Sequence, residues 1–276
     1  MAVLVRFWGV RGSVACPGER CARYGGNTSC VEVRVGDRLF VFDAGTGLRD
    51  LGLSLGDGPI DADLFLTHTH MDHIAGIPFF QPFFGPQNRF RLWSGHLDSD
   101  NIHGVVRSFM AAPLFPVPPD IFNATLEWND FHAGATLHPR EGIVVRTAPL
   151  NHPNGATGYR LEAEGRAVCY ITDTEHIVGE LDSNIVDLVR GADLMIYDST
   201  YTDEEYPKHV GWGHSTWQQG VRVAEAAGVG QLVIFHHDPA HDDGFMDKVL
   251  RRAATMRPGT TVAREGDTIE LAAIEV

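Results

Sequence analysis

His68-Thr69-His70-Met71-Asp72-His73 follows the apolar run Leu64-Phe65-Leu66 after a single Thr67, so three imidazoles and a carboxylate share one short turn at the end of a buried strand. Neutral imidazole and carboxylate are the ligands that borderline divalent ions prefer, and four of them in six positions can serve two ions. With 14 His in 276 residues, a given position is His roughly once in twenty, so a solvated surface turn is a poor account of this cluster. The turn reads as a metal site.

Other apolar runs also stop at a polar residue. Leu39-Phe40-Val41-Phe42 ends at Asp43, Val168-Cys169-Tyr170-Ile171 at Thr172-Asp173, Leu194-Met195-Ile196-Tyr197 at Asp198 and Leu232-Val233-Ile234-Phe235 at His236. Continuous apolar runs of this kind suit strands covered on both faces, and polar groups at their carboxyl ends converge on the ligand crevice of an α/β sheet. Helices are predicted over Ser215–Ala227, capped by Ser215 or Thr216 and ended by Gly228, and over Asp242–Met256. Val31–Phe42 and Tyr159–Ile171 read as hairpins turning at Gly36-Asp37 and Glu164-Gly165. The expected result is α/β, with mixed sheets and outer helices.

The whole chain, 1–276, is read as one domain, with 43% hydrophobic and 21% charged residues and no low-complexity tract. Residues 78–131 interrupt the pattern with Pro- and Phe-rich segments and are expected to form an irregular insertion serving as a lid, a homodimer interface or a substrate wall, with an inert packed loop as the alternative. The 22 basic and 36 acidic residues leave a net charge of -14, which disfavours long nucleic acids as general partners. Arg6, Arg11, Arg20 and Arg23 cluster near the N-terminus but sit among Gly-rich turns, where solvated arginines are the simpler reading. Cys16, Cys21, Cys30 and Cys169 are too sparse for a disulfide framework and lack a Cys-x-x-Cys zinc pair. No apolar stretch approaches about 18 residues and the N-terminus carries no basic leader, so no membrane partner and a soluble cytoplasmic protein are expected.

Taken with Phe42-Asp43-Ala44-Gly45-Thr46-Gly47, Leu150-Asn151-His152, Ile171-Thr172-Asp173-Thr174, Tyr197-Asp198-Ser199-Thr200, Gly213-His214-Ser215-Thr216 and Phe235-His236-His237, the turn resembles the metallo-β-lactamase superfamily. The resemblance spans almost the whole chain and points to the phosphodiesterase branch that includes ribonuclease Z and the phosphoribosyl 1,2-cyclic phosphodiesterases. It implies a four-layer αββα sandwich of two mixed β-sheets with outer helices. It also implies that His68, His70 and His152 bind one metal, that Asp72, His73 and His236 bind the other, and that Asp173 bridges them. The implied cofactors are two divalent ions, Zn2+ ahead of Mn2+ or Fe2+, with a bridging hydroxide as nucleophile. His214 is placed as a proton donor oriented by Asp198, and Asp72 is counted with them among the catalytic residues.

Two ions, two carboxylate ligands and one hydroxide leave a centre of roughly +1, which suits a small phosphodiester monoanion such as a cyclic phosphate or cyclic nucleotide. A lactonase or thioesterase is the enzymatic alternative. A tRNA-processing ribonuclease is disfavoured by the acidic charge and by the lack of a Gly- and Lys-rich arm, and a noncatalytic metal-binding sensor by the complete ligand set. Asp43 is read as supporting a ligand His or a simple turn. His237, adjacent to the assigned His236, would point elsewhere if the strand persists. His176, His209 and His241 are read as packed or solvated.

Overall fold

The computed structural model describes residues 1–273. The first sheet contains β1 (Val3–Gly9), β2 (Cys30–Val35), β3 (Arg38–Phe42), β4 (Asp61–Leu66), β5 (Arg89–Ser94) and β6 (Thr125–Asp130). The second is built from β7 (Thr136–Leu137), β8 (Val144–Leu150), β9 (Ala156–Ala163), β10 (Arg166–Ile171), β11 (Leu194–Asp198), β12 (Gln231–Phe235) and β13 (Thr261–Val262). A last strand, β14 (Thr268–Leu271), returns to the first sheet beside β1.

The two sheets repeat one plan. Each runs antiparallel through its hairpins, β1-β2-β3 and β8-β9-β10, and then parallel, through β3-β4-β5-β6 and β10-β11-β12-β13. Parallel strands need crossovers and covered faces, which explains why β3, β4, β10, β11 and β12 are apolar at almost every position. Their carboxyl ends open on the same edge of the molecule.

Three apolar layers account for the αββα order. Between the sheets, Phe42 lies 5.4 Å from Phe65 and 5.6 Å from both Tyr159 and Tyr170, ring centroid to centroid. Outside the first sheet pack α1 (Gly47–Ser54), the short α2 (Met71–Ile74) and α3 (Ile102–Phe109). Outside the second pack α4 (Ser183–Val189), α5 (Trp217–Ala227) and α6 (Asp243–Met256). The caps of the last two helices follow the predicted chemistry. Thr216 accepts from Gln219 N, Asp242 accepts from Phe245 N, and Gly228 ends α5 in the left-handed region.

Residues 78–131 differ from their reading as an irregular insertion. They supply β5 and β6, α3 and an aromatic cluster in which Phe80, Phe83 and Phe90 are fully buried. Pro78, Pro82 and Pro119 stand in the short 3-10 turns Ile77–Phe79, Gln81–Phe84 and Pro119–Ile121, where a missing N–H is tolerated, and β5 itself alternates Arg89 and Arg91 with buried Phe90 and Leu92. Phe79 and Leu114 remain exposed on this segment. Among the described residues, no helix is long and apolar enough to cross a membrane.

Candidate metal centre

Strand geometry first brings the residues to one edge and then frees them from the pleat. Asp43, Asp173 and His236 each follow their strand with φ of 59°, 60° and 62°, a left-handed conformation that costs non-glycine residues about 1–3 kcal/mol. Asp tolerates it best. His236 adopts it with its imidazole packed on Gly12, where a Cβ would lie 2.4 Å from the ring.

Seven of the predicted site residues meet in two groups. His68, His70 and His152 form the first, with His70 Nδ1 2.9 Å from His68 Nε2 and 3.1 Å from His152 Nε2. Asp72, His73, Asp173 and His236 form the second, with His73 Nε2 3.2 Å from both Asp72 Oδ2 and Asp173 Oδ2, and His236 Nε2 3.4 and 3.3 Å from the same two oxygens. Asp173 faces both ways. Its other oxygen, Oδ1, is 3.8 Å from His68 Nε2 and 3.7 Å from His152 Nε2.

His70 faces inward with Nδ1, and for the other four rings a hydrogen bond on the far side decides which nitrogen does so. His152 Nδ1–H donates to Gly213 O at 2.8 Å, and His73 Nδ1 lies 2.7 Å from Asp43 Oδ2. The Thr67 hydroxyl donates to Asp43, leaving its oxygen to accept from His68 Nδ1 at 3.0 Å. The Thr200 hydroxyl donates to Asp198, so it accepts from His236 Nδ1 at 3.0 Å. All four rings thus turn an Nε2 lone pair toward the cluster, as metal-binding imidazoles do. Asp72 Oδ2 is held by the Ser13 amide at 2.7 Å.

Two observations fit this set to divalent ions. His73 Nε2 and His236 Nε2 are buried without a hydrogen-bond partner, an arrangement that is costly unless another group takes their lone pairs. A tetrahedral shell with bonds of about 2.0–2.1 Å separates its ligand atoms by about 3.3 Å, which matches the second group and lies slightly above the first.

Charge reinforces the geometry. Burial pushes the Asp72 and Asp173 carboxyls up, but neighbouring imidazoles outweigh it and hold both below the usual carboxylate range. Burial pushes His68, His70 and His152 down, favouring their neutral forms. It acts the same way on His73, where Asp173, Asp72 and Asp43 overcome it and raise that ring well above the usual histidine range. The pocket recruits positive charge.

His214, just before α5, has Nδ1 3.0 Å from Asp198 Oδ2 and 3.8 Å from Asp173 Oδ1. Burial opposes its protonation, but the adjacent Asp198 carboxylate dominates and pushes it up to about 9. Asp198 is itself fixed by the Thr174 and Thr200 amides, each at 3.1 Å. His237 turns away from the cluster, 2.9 Å from Ala263 O, and burial leaves it at about 3. His176 stacks on Tyr206, His209 on Tyr201 and His241 on Phe245.

Sequence reasoning missed Thr67, Thr200, Tyr170, Ser13 and Gly213 as supports. Thr67 and Thr200 adjoin residues already singled out, so their hydroxyls were a usable signal. Tyr170 OH reaches Asp43 Oδ2 at 2.9 Å from the opposite sheet, and nothing local announces that contact.

A family model described as "Beta-lactamase superfamily domain" matches residues 38–237. A ribonuclease Z from Gemmatimonas aurantiaca is 25% identical, covering 100% of this chain and 98% of its own length. Among solved structures, a diphosphatase from the PhnP family aligns with a TM-score of 0.72 at 19% identity, over 98% of each chain. The Zn2+-bound PqqB from Methylobacterium extorquens aligns at 0.70 and 18% identity, over 97% of this chain and 100% of its own. The αββα layers and the extent of the family match agree, and the chain belongs to the beta-lactamase superfamily.

Proposed function

We propose that the protein is a dinuclear metal-dependent hydrolase of small phosphodiesters. The carrying observation is the His214–Asp198 pair beside the cluster: Nδ1 is taken by Asp198, so Nε2 holds the proton available to a leaving group. A thioesterase, whose thiolate leaves without protonation, has less need of such a donor.

His68, His70 and His152 would hold one ion, Asp72, His73 and His236 the other, and Asp173 both. Bound there, divalent ions supply Lewis acidity to water and to a phosphoryl oxygen. Zinc is the preferred metal, from the nitrogen-rich donor set and from the Zn2+ bound by the similar PqqB. His214, with Nδ1 held by Asp198, would transfer its Nε2 proton to the departing alkoxide. Asp198 keeps the ring from rotating and stabilises its charge until that transfer.

The test compares His214→Ala on a cyclic phosphate with an alkyl leaving group and on bis-nitrophenyl phosphate, whose leaving group needs little protonation. The expected loss in kcat is about 100-fold or more on the first and much smaller on the second, with metal content unchanged. Equal losses on both substrates remove the proton-donor role, and activity on lactones alone removes the phosphodiesterase reading.

A second reading, cleavage of RNA, is favoured by the ribonuclease Z relatives, whose similarity runs the length of the chain. The net charge of -14 weighs against it by opposing a polyanion. Turnover of a structured RNA with kcat/KM above that for any small diester would reverse the preference.

A further inference from the structure

Between Tyr206–Lys208 and α5, the chain makes a loop in which Gly211 and Gly213 have φ of 90° and 84°. The Glu175 carboxylate clamps both, accepting from Gly211 N at 2.8 Å and Gly213 N at 2.7 Å, while Trp212 N donates to His209 O at 3.1 Å. The backbone on each side of Trp212 is therefore fixed. Trp212 is nevertheless 62% exposed. Val210 on the same loop is exposed as well, and adjoining apolar side chains held in water on a pinned loop mark a contact surface.

That surface adjoins the metal cluster. Gly213 O holds His152, and a Cβ on Gly213 would lie 2.4 Å from the same imidazole. Trp212 meets His209 edge to face at 5.1 Å, His209 stacks on Tyr201 at 4.2 Å, and Tyr201 lies 6.2 Å from His214. A continuous line of rings leads from the rim to the proposed proton donor, and it braces the indole from one side.

We infer that Trp212 is a stacking platform for the nucleobase of a nucleotide substrate whose phosphate lies over the cluster. The inference rests on the phosphodiesterase reading and narrows its substrate class. Bases stack on aromatic faces whatever their identity, so the indole adds affinity for a nucleotide that a bare sugar phosphate, with no ring to stack, does not gain. Trp212 would then act through KM and leave the proton transfer at His214 untouched.

Calorimetric binding of AMP and ribose 5-phosphate to the zinc-loaded wild type, Trp212→Ala and Trp212→Phe tests it without turnover. AMP is expected to bind the wild type about 10-fold or more tighter than ribose 5-phosphate. Trp212→Ala should abolish that preference while leaving ribose 5-phosphate unchanged, and Trp212→Phe should keep most of it. Equal wild-type affinities, no binding of either ligand, or parallel losses in Trp212→Ala overturn the inference. Turnover of bis-nitrophenyl phosphate separates the two readings. Cleavage without AMP preference removes the platform alone, and AMP preference without cleavage removes the phosphodiesterase alone.

Discussion

At the scale of single residues, the support for each imidazole carries as much information as the imidazole itself. Asp43 receives His73 Nδ1, Thr67 and Tyr170, so its carboxylate sets the tautomer of one candidate ligand and, through Thr67, of a second, His68. Asp43→Asn keeps the shape but allows an amide N–H to face His73 Nδ1, which moves the ring proton to Nε2 and points it into the cluster. The expected outcome is a metal affinity about 10–100-fold weaker, checked by competition with a chelator and elemental analysis. Six of the seven candidate ligands were legible in the sequence, because His68, His70, Asp72 and His73 share one His-rich turn and Asp173 and His236 close apolar runs, whereas His152 and the sorting into two sets came from the resemblance. Their anchors were not, since a hydroxyl or a carbonyl becomes a partner only when two distant strand ends meet.

Elements were read most reliably where local chemistry sufficed. The α5 helix begins where Thr216 accepts from Gln219 N and ends where Gly228 turns left-handed, both features of a few neighbouring residues. Thr216→Ala is expected to lower stability by about 1 kcal/mol in urea unfolding by removing that cap. The two hairpins were equally visible. By contrast β5 and β6 went unread, because their pairing is parallel, β5 with β4 and β6 with β5 across long crossovers, while prolines and phenylalanines in the flanking turns mask their alternation. Salt links such as Arg89–Glu127 and Arg91–Asp61 occupy their polar positions and exist only in the assembled sheet.

Viewed as a whole molecule, the candidate centre straddles the seam between the sheets. His68, His70, Asp72 and His73 come from the first, and His152, Asp173 and His236 from the second. An ion taken up by donors from both halves stabilises their association by linkage, adding about 4 kcal/mol per site when free ion exceeds its dissociation constant 1,000-fold. Exhaustive chelation should therefore lower Tm by many degrees and zinc should restore it, as followed by thermal melting. An unchanged Tm would show that the seam closes without ions. The αββα order itself was legible only in combination: apolar runs predicted covered strands, and the resemblance supplied their division into two sheets.

The left-handed exits at Asp43, Asp173 and His236 restrict more than the chemistry. Few side chains tolerate that backbone, and Asp, Asn and Gly do so at least expense. A descendant freed from hydrolysis would still find most replacements closed at these three places, since Val or Ile there would strain the main chain before any ligand was missed. The bends that aim the reactive groups would thus outlast the reaction, leaving asparagine or glycine as a fossil trace of an abandoned trade.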